Sequence, residues 1–451
     1  MSLVNQNGYV PKFFVEGSNV REDLANYMLV DGYDFVLDLE NSVSPYFVDI
    51  RDGKKFTDFF TCFASMPIGM NHPKLVDDDF INYIGKVALN KPSNSDIYTE
   101  EMATFVKTFF NIAVPDYFKY SFYISGGALA VENALKAAFD WKVRKNMAKG
   151  IEGEKGHKMI HFKQAFHGRS GYTMSLTNTD PNKVKYFPKF DWPRVTNPKM
   201  TFPINDENLE KVIALENKSI EEIKQAFIDN PDEIAGIILE PIQGEGGDNH
   251  FRNEYLQQLR QICNDNDALL IFDEVQTGLG LTGTWWAHEQ MEVKPDIMCF
   301  GKKMQVCGIL ATERMDEVED NVFKTSSRIN STWGANLVDM VRSTRYLEIM
   351  DEENVLANVN EMGKVLTGKL HEMQEEYPEL ISNIRGRGMF SAYDLATSDL
   401  RDKFTGKCFE KGLLVLGCGE KAVRFRPPVN IGMQQIEEGF ETIKQVMKEI
   451  I

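Results

Sequence analysis

The sequence predicts an α/β fold with a large, mostly parallel sheet, joined by a smaller α+β domain built from both ends of the chain. Three observations predict it. Through the middle of the chain, short segments apolar at every position alternate with amphipathic helical segments; such strands are buried on both faces, and the helices between them cover a parallel sheet. Paired glycines and acids punctuate the ends of those strands. The two ends of the chain read instead as a hairpin and as strands grouped with longer helices.

The hairpin comes first, with strands at 46–52 and 55–60 around Asp52-Gly53. Residues 122–125 form a strand that meets Gly126 and Gly127, and 128–145, rich in Ala, Leu, Glu and Lys, form a helix. Ser219 and Glu222 have the S-x-x-E spacing of a capping box, which predicts a helix opening there and ending before Pro231. An apolar strand follows at 235–239. Residues 254–264 set Leu256, Leu259, Ile262 and Cys263 on one helical face, and 268–272 form a buried strand running into Asp273 and Glu274. Toward the C terminus, strands at 389–395, 413–416 and 423–425 are flanked by helices at 354–376 and 434–449. The expected division is 1–70 for the N-terminal part of the small domain, 71–335 for the large domain and 336–451 for the C-terminal part.

With 451 residues, 43% of them hydrophobic, the chain has material for a large core, which excludes disorder, collagen and coiled coil. A net charge of −17 repels nucleic-acid phosphates and anionic lipid, so neither is an expected partner. The 6 cysteines include no CxxC pair, and no disulfide framework, zinc knuckle or other metal site is expected. The start, MSLVNQNGYVPKFF, lacks the basic and apolar regions of a signal peptide, and no run approaches the ~18–20 apolar residues of a membrane span. A soluble, cytoplasmic protein is expected.

Ligands of open α/β sheets bind beyond the carboxyl ends of the strands. Asp273 directly follows the apolar run 268–272, and Lys302 and Lys303 follow 297–300, so acid and lysine open onto one rim. A desolvated lysine forms a Schiff base, and a carboxylate holds a protonated ring nitrogen. The turn Gly126-Gly127-Ala128 offers backbone N–H groups at a helix start, which suits a phosphate. Singly, each feature is ordinary: strand-end Asp caps turns, Lys is solvated, and paired glycines mark turns. Together they point to pyridoxal phosphate.

The words around these residues are more specific. ILEPIQGEGG at 238–247, FDEVQTGLGLTG at 272–283, PDIMCFGKK at 295–303 and FHGR at 166–169 resemble the motifs of class III aminotransferases, in the order that family has them. ISGGALAVENALKAAFDWK, LNKPSNSDIYT, FGKKMQVCGI and VRFRPP are similar to its lysine 6-aminotransferase branch. The chain departs from the general pattern in two places: Leu129 stands where the S-G-x-E-A turn has its acid, and KMQVCGIL replaces a glycine-rich tail. The resemblance implies the pyridoxal-phosphate fold type I, with a mostly parallel seven-stranded sheet and a homodimer whose sites are shared across the interface.

It also implies roles. Lys302, at the family's spacing from Pro295-Asp296-Ile297, binds the cofactor covalently and shuttles the substrate proton; in an extended backbone Lys303 points to the opposite face. Asp273 pairs with the ring nitrogen, Gln276 donates to the phenolic oxygen, and Phe166 stacks on the ring or is ordinary core. Gly127 and Ala128 cradle the phosphate, which Thr332 of STWGAN reaches from the partner, unless that hydroxyl caps its own turn. Arg169 matches the arginine for the distal carboxylate, Arg424 the one for the carboxylate beside the oxo group, and Glu245 the acid that covers Arg424 when no such carboxylate is bound. Arg426 lies on the same strand face as Arg424, so periodicity does not separate them. The implied reaction passes the ε-amino group of L-lysine to 2-oxoglutarate, giving 2-aminoadipate 6-semialdehyde and L-glutamate. The alternatives are another ω-aminotransferase acting on ornithine or 4-aminobutyrate, an isomerase or decarboxylase on the same scaffold, and a non-catalytic binding protein, which the presence of both Lys302 and Asp273 opposes.

Overall fold

In the computed structural model, which describes residues 9–451, the N-terminal hairpin is β1 (Tyr46–Val48) and β2 (Lys55–Asp58), paired antiparallel. The start of the sequence, on which the absence of a signal peptide was read, and of the 1–70 segment lies partly outside the described residues. Two helices beyond the predicted set follow, α1 (Asp78–Ala88) and α2 (Glu100–Ile112), each opened by a side-chain cap from Asp77 or Thr99.

The central sheet is built from β3 (Phe118–Ile124), β4 (Lys158–Phe162), β5 (Arg194–Val195), β6 (Ile234–Leu239), β9 (Leu269–Asp273), β10 (Ile297–Phe300) and β11 (Cys307–Thr312); between β6 and β9 lies a small hairpin of β7 (Ile242–Gln243) and β8 (Asn249–His250). Its seven strands run in the order β3-β11-β10-β9-β6-β4-β5. All are parallel except β11, which is antiparallel to both neighbours. The 301–306 connection from β10 to β11 is too short for a crossover, so that strand must turn back.

Every residue of β6, β9 and β10 is buried, and alternate residues go to opposite cores. Leu270, Phe272, Met298 and Phe300 pack with Leu256, Leu259 and Ile262 of α5 (Asn253–Asp265), whereas Leu269, Ile271, Ile297 and Cys299 pack with Val131, Ala134 and Leu135 of α3 (Gly127–Ala148). Between them in the chain, α4 runs Asp206–Asp229.

The capping box expected at Ser219 is not there. α4 begins well before it, at Asp206, with Asn205 accepting the Asn208 N–H at 2.9 Å. Ser219 is buried in mid-helix, donating to Thr196 O at 2.8 Å, and Glu222 accepts the Thr196 N–H at 2.5 Å and its Oγ1 at 3.0 Å. The S-x-x-E pair therefore ties the helix to the chain leaving β5, because tertiary acceptors outcompete a local cap.

The C-terminal region holds α6 (Leu337–Glu352), α7 (Val355–Glu376), β12 (Ile381–Arg387), β13 (Phe390–Leu395), α8 (Ser398–Glu410), β14 (Leu413–Leu414), β15 (Leu416–Cys418), β16 (Ala422–Phe425) and α9 (Met433–Ile450). An antiparallel sheet runs β12-β13-β16-β15, and β14 pairs parallel with β2 of the N-terminal hairpin. Chain from both ends thus shares one sheet. All 6 cysteines are free, and among the described residues no helix is long and apolar enough to cross a membrane.

Candidate active site

Parallel pairing of β9 and β10 sets Asp273 beside Cys299, with the Glu274 N–H bonded to Cys299 O at 2.9 Å, so the two strands end together and the chain after each faces one cavity. That cavity, about 770 Å³, is lined by Gly127, Ala128, Phe166, Asp273, Gln276 and Lys302. It opens into a second of about 900 Å³, which shares Phe166, Arg169, Gln276 and Lys302 and adds Glu245 and Arg424.

Lys302 follows Gly301 in a tight turn, at φ 48. Burial first, and then the like charge of Arg424, lower its ammonium pKa to about 8 against the opposing charges of Asp273 and Glu240. The neighbouring lysine goes elsewhere: Lys303 Nζ donates to Gln276 O at 2.5 Å and to Ala64 O at 3.4 Å. The two side chains do diverge, but the backbone at 302–304 is a 3-10 turn and not the extended chain assumed from the sequence.

Asp273 Oδ2 is 2.8 Å from His167 Nδ1, and its Oδ1 accepts the Val275 N–H at 3.1 Å. Burial works against a charged His167, yet the hydrogen bond and charge of Asp273, with the charge of Glu240, hold its pKa above the ordinary value. Glu240 accepts the N–H groups of Phe166 (2.9 Å) and Gly244 (3.0 Å), and burial raises its carboxyl to about 7. His167 and Glu240 were not singled out in the sequence. Glu240 nonetheless carries the signal that marked Asp273, an acid at the end of an apolar strand, and His167 lies inside FHGR.

Gly126 adopts φ 105 and is followed at once by α3, whose first free N–H groups are those of Gly127 and Ala128; the first helical bond runs from Ala130 N to Gly126 O. A Cβ on Gly127 would come within 2.9 Å of Val275 Cγ1. The absent side chain leaves a concave anion seat beside Asp273 and Lys302. Leu129, at the departure from the family turn, is exposed.

Gln276 Oε1 accepts from Arg424 (3.4 Å) and Arg426 (3.3 Å), which leaves its amide N–H₂ for the cavity. Both arginines face the same way, as alternation requires, but their environments differ. Arg426 is bound to the buried Asp248 at 2.6 Å and lies 3.3 Å from the centre of the Phe390 ring. Arg424 is 5% exposed, has the one long bond to Gln276, and its Nε has no partner. Glu245 does not cover it. The Glu245 carboxylate accepts from Thr179 Oγ1 at 3.0 Å and pairs with Lys183. Arg169 is exposed at the cavity mouth.

Thr332 is exposed and outside the cavity; its carbonyl accepts from Ser93 Oγ at 2.5 Å, Ser95 Oγ donates to Ser331 O, and the Asn94 backbone N–H donates to Trp333 O at 3.2 Å. The LNKPSNSDIYT and STWGAN segments therefore pack on one another.

One wall was not legible at all. Thr61, Cys62, Phe63 and Ala64 take φ of 43, 50, 61 and 60 in succession, a left-handed turn that costs about 1–2 kcal/mol per residue without glycine. It is pinned by Asp58, which accepts the Phe60 and Thr61 N–H groups, by Thr61 Oγ1 on Arg426 O at 2.9 Å, by Lys303 on Ala64 O, and by Gln305 Nε2 on Ser65 O at 2.6 Å. Burial raises the Asp58 carboxyl to about 7.

A buried amine of lowered pKa, an acid held by histidine, an anion seat and a second cavity with a bare guanidinium fit a phosphate-bearing aldehyde and a carboxylate substrate. The family model for class-III aminotransferases matches residues 30–447. The L-lysine-epsilon aminotransferase of Mycobacterium tuberculosis is 48% identical over 95% of this chain and 95% of its own, and that of Amycolatopsis lactamdurans is 45% identical over the same shares. A solved lysine aminotransferase from M. tuberculosis superposes with a TM-score of 0.95 at 46% identity, covering 97% of this chain and 100% of that one.

Proposed function

The chain belongs to the class-III aminotransferases, and from that premise we propose that it passes the ε-amino group of L-lysine to 2-oxoglutarate, giving 2-aminoadipate 6-semialdehyde and L-glutamate. It is an enzyme, and its cofactor is pyridoxal 5'-phosphate. The observation that carries the two-substrate reading is the placing of Arg424 and Glu245 in the cavity of Lys302: one buried cation, and one acid able to cover it.

When bound, the cofactor supplies an aldehyde that takes up the amino group and a ring that withdraws electrons from the reacting carbon. Gly127 and Ala128 would hold its phosphate, Asp273 its ring nitrogen, Gln276 its phenolic oxygen, Phe166 its ring face and Lys302 its aldehyde carbon. His167 orients Asp273 and keeps its charge directed at the ring nitrogen. Lys302, once released, moves the proton from the substrate carbon, and its lowered pKa makes the neutral, basic form accessible near neutrality. Arg169 holds the distal carboxylate. Arg424 holds the carboxylate beside the oxo group of 2-oxoglutarate; lysine has none there, and a bare guanidinium in a closed pocket is costly, so Glu245 covers it in that half-reaction.

We further infer a homodimer. Thr332 lies outside its own chain's cavity, which is consistent with its hydroxyl serving a second copy, and large apolar side chains stay exposed, among them Tyr27, Leu29, Leu89 and Trp333. The pairing of β14 with β2 supports a small domain drawn from both ends of the chain, for which boundaries near 70 and 335 are proposed.

Two experiments test the reading. Mixed singly with the holoenzyme, L-lysine is expected to convert the cofactor's absorption to the amino form faster than ornithine or 4-aminobutyrate; a faster rate with either of those assigns the amine differently. Glu245→Ala should slow the lysine half-reaction more than the 2-oxoglutarate half-reaction, and Arg424→Ala the reverse, by on the order of 2–5 kcal/mol for a desolvated pair. Equal slowing of both halves in both variants makes Glu245 a structural acid in a glycine-rich turn.

A further inference from the structure

The Glu245 carboxylate is in the cavity but away from Arg424, and what holds it there is specific. Thr179 precedes, and Lys183 ends, a short 3-10 turn, Pro181–Lys183, whose start is fixed by Asp180 accepting the Asn182 N–H at 2.8 Å. Thr179 Oγ1 donates to Glu245 Oε1 at 3.0 Å, and Lys183 pairs with the same oxygen, its Nζ also lying 5.7 Å from the centre of the Phe166 ring.

The backbone under Glu245 has no freedom to follow the side chain. The Gly419 N–H bonds Glu245 O at 2.8 Å. On either side, a Cβ on Gly244 would meet Gln276 Oε1 at 2.5 Å and one on Gly246 would meet Gln164 O at 2.0 Å, so both glycines are packed tight. Any exchange between Arg424 and Lys183 is a side-chain rotation about a fixed pivot. A carboxylate leaving Arg424 for an unpartnered place in the cavity would pay its desolvation uncompensated; a cation and a hydroxyl at the landing point remove that cost.

We propose that Thr179 and Lys183 are positioning residues forming the second seat of Glu245, so that the balance between this seat and Arg424 sets how readily 2-oxoglutarate is accepted relative to lysine; this rests on Glu245 being the cover of Arg424. The site behaves as a two-position switch, and weakening one position shifts the population to the other by a factor exponential in the free energy lost. Without Lys183 the carboxylate stays on Arg424, and 2-oxoglutarate must displace it.

The test uses holoenzyme and single-turnover measurement of each half-reaction. Lys183→Met is expected to raise the half-saturating concentration of 2-oxoglutarate by roughly ten-fold relative to that of lysine, as for loss of a partly exposed charge pair with a shared hydrogen bond. Thr179→Val should move the ratio the same way by less, and Lys183→Arg should restore it. In a Glu245→Ala background, Lys183→Met should leave the ratio where Glu245→Ala puts it. A Lys183→Met effect equal in both half-reactions overturns the second seat. So does an undiminished effect in the Glu245→Ala background, which would mean that Lys183 binds the substrate carboxylate itself. If Glu245→Ala alone fails to split the half-reactions, the covering role fails first and the seat with it.

Discussion

Lys302→Ala is expected to abolish turnover and, with it, the absorption band of the cofactor joined to the chain, whereas Lys303→Ala is expected to keep the band. The adjacent lysines differ by where the turn sends them. Lys302 faces the cavity, while Lys303 is buried on the carbonyls of Gln276 and Ala64. Removing Lys303 leaves two carbonyls without their donor, a stability cost of about 1–3 kcal/mol that a thermal melt reads. A band surviving in Lys302→Ala, or lost only in Lys303→Ala, reverses the assignment. The amine also has a pH signature. With its pKa lowered to about 8 by burial and by Arg424, about a quarter of Lys302 is neutral at pH 7.5, against about one in a thousand for an ordinary lysine. Only the neutral amine attacks an aldehyde, so cofactor capture by cofactor-free protein should rise with pH through a midpoint of about 8 and level off roughly one pH unit above it. Arg424→Gln removes a like charge that lowers the pKa, so its capture curve should move to higher pH; a curve moving the other way places Arg424 outside the field of Lys302.

Asp273→Asn is the second substitution of large effect. An amide keeps the shape of the side chain but carries no charge for the ring nitrogen and weakens the bond to His167 at 2.8 Å. Loss of a single preorganised electrostatic group of this kind costs about 10²–10³ in turnover. The variant should also release cofactor faster on dilution, since the same charge anchors it. Turnover within a few-fold of the parent would show that Asp273 serves only as the anchor of His167.

Much of the fold was legible because its signals are local. The runs at β6, β9 and β10 are apolar at every position, and only strands covered on both faces are built so. The Ser219–Glu222 spacing was equally local and misled, since S-x-x-E caps a helix only where the chain before it is not helical, and here α4 already runs from Asp206. The strand β11 stands outside the expected set, although the short 301–306 link before it forces its antiparallel turn, and the pairing of β14 with β2 brings together residues from opposite ends of the chain, which no local pattern announces.

The sequence by itself determined that an acid and a lysine stand at neighbouring strand ends with a glycine turn nearby, because strand ends and turns are written in adjacent residues. The tertiary structure alone distinguished the surroundings of Arg424 from those of Arg426. Period two sets them on one face, and only the fold brings Asp248 and the Phe390 ring to Arg426 while leaving Arg424 with one long bond. It likewise decided that His167 and Glu240 surround Asp273, that Thr61–Ala64 turns left-handed against Asp58 and Lys303, and that Glu245 rests on Lys183. Each depends on a group distant in sequence arriving within hydrogen-bond reach, and the energy of such a contact comes from burial and partner geometry, which exist only once the chain has folded.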